Sequence, residues 1–198
     1  MQVNNDEQSS DKVRQLANQQ EGVRKVLDWL RQEGLEPQEL THLRKDACYY
    51  GVVVISNEPE NEEQRGKYRR EAFHILFPID KPDSLTISEI IILDLASQKA
   101  YASLATKTNG ALEQHRFYSY LERDLLEKNL NFTIKKDIQE LKSFEIYRVL
   151  SFDQLTKDIL FDSISILRNS IETVRTKTDQ LRHTVMSYEA SPTHDYRS

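Results

Sequence analysis

The five histidines, His42, His74, His115, His183 and His194, are the first residues to weigh for chemistry. No two stand in an HxH, HxxxH or HExxH spacing, so no local stretch presents paired imidazoles to a metal ion. His74 alternates with Phe73 and Ile75 as in a strand, and His115 stands at the start of a helical pattern. Both read as structural or surface histidines. Cys48 is the one cysteine, which rules out an intramolecular disulfide and a cysteine-based zinc site. It could serve as a nucleophile with a histidine brought close by folding. Its apolar surroundings instead predict a small buried side chain. Glu122 with Asp124, and Asp158 with Asp162, place carboxylates near each other on charged helices. No third acidic or histidine ligand lies within a turn, so solvated helix surface is the expected role. No GxxxxGK[ST], GxGxxG or GxSxG occurs, and five glycines leave little for a phosphate-cradling loop. Asn131-Phe132-Thr133 matches a glycosylation sequon, which without a secretory signal is a chance match. The expectation is a non-enzymatic protein with no catalytic residue, no cofactor and no metal.

Two stretches could instead recognise a partner. Arg65, Lys67, Tyr68, Arg69 and Arg70 set four basic side chains around an aromatic, which could grip nucleic acid by phosphate contacts and stacking. Glu58, Glu60, Glu62 and Glu63 lie just upstream and would repel the same phosphates, and the net charge of −5 argues in the same direction. Nucleic-acid association through residues 65–70 therefore stands as the alternative reading. The second stretch is the end of the chain. Leu160, Ile164, Leu167, Ile171, Val174, Leu181 and Val185 recur in steps of four and three, interrupted by Thr178. That period puts them on one stripe of a helix predicted over 153–187, with Ser151 or Asp153 as its N-cap. Ile159, Phe161 and Ile166 broaden the early stripe, as for a helix on a core. Beyond Val174 only a narrow seam remains, which suits another helix. Val174, Leu181 and Val185 are thus the expected partner-binding residues, in a homodimer or with a partner protein's helix.

The elements that hold these residues follow from periodicity. Val23, Val26, Leu27 and Leu30, flanked by Trp29, form one face of a first helix that Gly34 and Pro37 terminate. Ala47–Ile55 is dense in β-branched and aromatic residues on both faces and reads as a central strand. The polar stretch 57–66 is a loop, and Ala72–Phe77 and Thr86–Leu95 are two further strands that can form a meander with the first. Small residues over 96–107 fit a turn or short helix. Asn109-Gly110 opens a second helix, with Phe117, Leu121 and Leu125 on one face, ended by Asn129-Leu130-Asn131. Phe132–Lys136 and Phe144–Leu150 alternate like two strands of a hairpin. The fold class is α+β in the order α-β-β-β-α-β-β-α, with a five-stranded, mainly antiparallel sheet, packed helices and a long C-terminal helix. Residues 1–18 and 188–198 read as mobile tails around a single domain over 19–187. The opening MQVNNDEQSSDK lacks the basic start and apolar run of a signal peptide, and no apolar stretch approaches the roughly 20 residues that span a bilayer. A soluble, cytoplasmic protein is expected.

This order, the stretch Phe117-Tyr-Ser-Tyr-Leu-Glu-Arg-Asp-Leu-Leu126 and the long last helix resemble an archaeal family of unknown function whose fold is like that of type III secretion chaperones. The resemblance is one of pattern and spans about 21–185. It implies a chaperone-like or adaptor module that dimerises and holds a segment of a partner on its surface.

Overall fold

The computed structural model describes residues 19–40, 47–55, 72–104, 110–137 and 140–190. The tail expected over 1–18, the basic stretch 65–70 and residues 191–198 of the other tail lie outside the described residues. Helix α1 (19–32) leads into β1 (Pro37–Glu39), β2 (Cys48–Ile55), β3 (Ala72–Pro78) and β4 (Ser84–Ile92). Helices α2 (Leu95–Leu104) and α3 (Gly110–Glu127) follow, then β5 (Asn131–Asp137) and β6 (Glu140–Ser151). A 3-10 turn (Phe152–Gln154) precedes the last helix, α4 (Lys157–Ala190). The fold is α+β, as periodicity predicts, with the strands in the order β1-β2-β3-β4-β6-β5. β1–β2, β2–β3 and β3–β4 are antiparallel, so the predicted meander is present.

Six strands replace the expected five. The extra one, β1, pairs Pro37, Gln38 and Glu39 with Val54, Val53 and Val52. Its side chains carry no alternating apolar signal; the strand exists through main-chain bonds to an edge that β2 would otherwise leave open. The expected start of the last helix is also corrected. Ser151 makes no side-chain cap, and Asp153 falls inside the 3-10 turn. Thr156 caps α4 instead, its hydroxyl accepting a bond from the Ile159 amide at 3.2 Å. Both predicted helix stops are present with the expected chemistry. Gly34 (φ 72°) and Asn129 (φ 55°) take the left-handed conformation that closes α1 and α3. The following Leu35 and Leu130 amides donate back to the Leu30 and Leu125 carbonyls at 3.0 and 2.9 Å.

The chain divides into two compact units, residues 1–89 with 147–164 and residues 90–146 with 165–198. In the first, Val52, Val54, Phe73, Ile75, Phe77, Leu85 and Ile87 form the buried side of β2, β3 and β4, and Val26 and Leu30 of α1 are buried with them. Phe152 stacks on Phe77 at 6.2 Å, and its amide donates to the Asp83 carbonyl at 2.8 Å. A side chain at Gly22 of α1 would begin 2.8 Å from the Phe152 ring, so glycine there lets the ring lie against the helix. Lys157 of α4 reaches Glu33 at 2.6 Å, tying the start of that helix to the end of α1.

In the second unit, Phe117, Leu121 and Leu125 of α3 are buried as their spacing requires, and Phe117 meets Phe144 of β6 at 6.1 Å. Asp94 caps α2, accepting from the Ser97 amide at 2.7 Å. Gly110 sits so close to the end of α2 that an added Cβ would run into the Leu104 carbonyl oxygen. Only glycine fits that corner.

Candidate functional site

The residues singled out for chemistry are spread apart. Cys48 is half-buried opposite Pro78, whereas His74 stands opposite Val53 on the same pair of strands. At about 3.3 Å per residue that offset separates them by well over 10 Å, so the two do not form a nucleophile–base pair. His115 and His183 are exposed, as are Asp158 and Asp162 on α4. His42 and His194 lie outside the described residues, and so do Arg65, Lys67, Tyr68, Arg69 and Arg70. Among the described residues no three histidine, cysteine or acidic side chains stand together as a metal site.

The seam of α4 requires the main correction. Val174, Leu181 and Val185 are 1%, 9% and 2% exposed in the single chain, so they do not form an open stripe awaiting a partner. The apparent gap at Thr178 misleads, because that side chain is buried in line with the stripe. Ser170 and Thr178 are buried beside the aliphatic side chains, and each hydroxyl donates to the carbonyl four residues earlier, at 2.8 Å. A buried hydroxyl so satisfied costs little and packs almost as an apolar group. Two further contacts fix this half of α4 within its own unit. Arg182 reaches the Asp94 carboxylate at 3.5 Å, and the Lys177 ammonium lies 4.3 Å from the Tyr120 ring centre on α3.

The uncovered apolar surface lies elsewhere in that unit. Ile90 and Ile92 share the outward side of β4, with 41% and 74% of their surface in solvent, and Leu95 at the start of α2 is 64% exposed. Leu112 and Leu126 are also exposed, on the outer side of α3. Lys99, Asp94 and Lys142 stand near the β4–α2 patch in sequence or pairing, since the Leu93 amide donates to the Lys142 carbonyl at 3.0 Å. The hint in the sequence was the run Ile90-Ile91-Ile92, apolar on both faces where Ile91 alone is buried.

The first unit carries a groove of about 260 Å³. One wall is the row Glu21, Gly22, Lys25 and Trp29 on α1; the other comes from Asp83, Phe152, Asp153 and Leu155. The Phe152–Asp83 main-chain bond brings the two aspartates to the same rim from distant parts of the chain. Glu21 and Lys25 pair at 2.7 Å, and the hydrogen bond and charge of Lys25 hold the Glu21 carboxyl below its usual range. Tyr49 is the residue by which β2 outruns β3 in a register shift. Its ring is 6.0 Å from Phe77, and burial, followed by the charge of Asp83, pushes its hydroxyl up to about 12. In the second unit Tyr101 and Tyr118 meet edge-on at 5.9 Å, and burial raises both hydroxyls.

Comparison with known proteins bears on the family and the fold. The model of a family described as an uncharacterized conserved protein, DUF2299, matches residues 23–177. No curated protein matches the chain. Among solved structures, an uncharacterized protein from Methanothermobacter thermautotrophicus superposes with a TM-score of 0.61 at 19% identity, covering 80% of this chain and 97% of that one. YbjN from E. coli gives a TM-score of 0.38 at 12% identity over 83% and 89% of the two chains. The first of these shares the fold. No helix among the described residues is long and apolar enough to cross a membrane.

Proposed function

This chain belongs to the DUF2299 family, and from that premise we propose a non-enzymatic protein-interaction module, chaperone-like or adaptor, that works as a homodimer in the cytoplasm. The observation that carries the reading is the exposed set Ile90, Ile92 and Leu95. Three large exposed aliphatic side chains within six residues are costly in water and mark a surface that another protein covers. A second copy is the occupant that fits. The patch itself is aliphatic, and Asp94 within the same stretch is already held by the Ser97 amide and by Arg182 of its own chain. Such a surface can meet itself across a twofold axis, each copy covering the other's aliphatic side chains. The seam residues Val174, Leu181 and Val185 then belong to the subunit's interior rather than to its interface.

Sedimentation velocity over a concentration series tests this. The wild type sediments as two subunits at tens of micromolar, and Ile92→Asp sediments as one while keeping its circular dichroism. A wild type that stays monomeric throughout the series sinks the dimer.

A further inference from the structure

We propose that the outward side of the sheet in the first unit packs against the same side of a second copy of this chain. Alternation fixes what that side carries. Val52, Val54, Phe73, Ile75, Phe77, Leu85 and Ile87 turn inward and are wholly buried, so the residues between them turn outward. The register sets Val53 beside His74 and His74 beside Ser88, and in the next row Leu76 beside Thr86. β6 adjoins β4 in the sheet. The bonds from the Phe152 amide to Asp83 and from the Leu93 amide to Lys142 span equal stretches of these two strands. They therefore run antiparallel without a slip, which puts Val149 beside Thr86 and Tyr147 beside Ser88. Val53, Leu76 and Tyr147 are half-buried, and Val149 is 37% exposed. Of the described side chains on this side of the unit's strands, His74 is the one that can carry charge near neutral pH; the next along β6 is Glu145.

A sheet with one face in water alternates apolar with polar residues, and a sheet covered on both faces does not. Here the side that the chain leaves half-open carries aliphatic and aromatic side chains, the pattern of a covered face. Area and charge identify what covers it. Ile90, Ile92 and Leu95 are three residues, whereas a stable pair of proteins takes up roughly 20–30 residues a side. A homodimer needs more apolar surface than they supply, with charge depleted at its centre. Val53, Leu76, Tyr147 and Val149 provide that composition, and two copies can meet there, sheet on sheet, with no carboxylate or ammonium to desolvate.

The inference rests on the homodimer reading and deepens it by naming further surface that the second copy covers. Its test uses Thr86→Lys and Val149→Asp in the full-length chain. Both positions are already partly in water, so each subunit keeps its circular dichroism. By sedimentation velocity at tens of micromolar the wild type is expected to run as two subunits and each variant as one. The dissociation constant rises about 100-fold or more, because an unpaired charge is forced into an apolar contact. Leu126→Asp, a new charge at an exposed leucine of α3, leaves the dimer at wild-type strength. A folded Thr86→Lys or Val149→Asp that dimerises as the wild type does, or equal weakening by Leu126→Asp, overturns the proposal. If Ile92→Asp is monomeric while both sheet variants stay dimeric, the dimer stands and the sheet face is removed from it. If the sheet variants are monomeric while Ile92→Asp stays dimeric, the sheet face holds the copies together and the Ile90–Leu95 set does not. A wild type that stays monomeric overturns both.

Discussion

Leu181→Ala separates a seam folded into its own subunit from a seam shared between two chains. Leu181 is 9% exposed, between Thr178 and Val185 at 6% and 2%. Truncating a buried leucine costs about 2–5 kcal/mol, and a position near the last turns of a helix, with some solvent contact, falls toward the lower end, at about 2–3 kcal/mol. In a urea titration with a slope of about 2 kcal/mol per molar, that is a midpoint shift of about 1 M. The measurement is made in the Ile92→Asp background, so that association does not contribute. Circular dichroism is the probe, because Trp29 belongs to the other unit. The predicted shift is the same at two protein concentrations ten-fold apart. A shift below about 0.3 M, worth well under 1 kcal/mol, would show that the side chain is not packed as the burial implies. A shift that changes with concentration would return the seam to an interface.

Three further outcomes follow from single residues. Gly110→Ala drives a methyl into the Leu104 carbonyl oxygen, and calorimetry should show a loss of about 3 kcal/mol or more, because backbone must move. Asp94→Ala removes both the α2 cap and the partner of Arg182; about 1–2 kcal/mol is expected by chemical denaturation, with Asp94→Asn recovering most of it. Stability should fall as pH rises from about 10. Tyr49, held up to about 12, and the raised Tyr101 and Tyr118 stay protonated in the folded chain while the unfolded chain ionises. Denaturation curves at stepped alkaline pH check this, and Tyr49→Phe should flatten part of the decline; a flat wild-type profile up to about pH 12 contradicts the burial.

Periodicity was enough for every long element. The stripe of α4, the Phe117–Leu125 face of α3 and the alternating strands are set by side-chain burial, which the order of residues records directly. The stops at Gly34 and Asn129 were legible because few residues tolerate positive φ. β1 was not, because Pro37, Gln38 and Glu39 are recruited by main-chain pairing that leaves no mark on side-chain pattern. Thr178 was read as an interruption of the seam, yet its bond to the preceding turn lets it be buried in line with Val174 and Leu181. The groove depends on the Phe152–Asp83 main-chain bond, which brings two distant stretches together, and nothing local to either announces it. The β4 patch was half visible, since an isoleucine triplet in a strand must present some of its members outward.

Light scattering on three chains at one concentration tests the interaction account most directly: the wild type, Ile92→Asp and Leu181→Ala. The predicted masses are two subunits, one subunit and two subunits, because the outward isoleucine holds the copies together and the inward leucine only stabilises each. A dimeric Ile92→Asp beside a folded, monomeric Leu181→Ala would contradict it and move the interface back to the long helix.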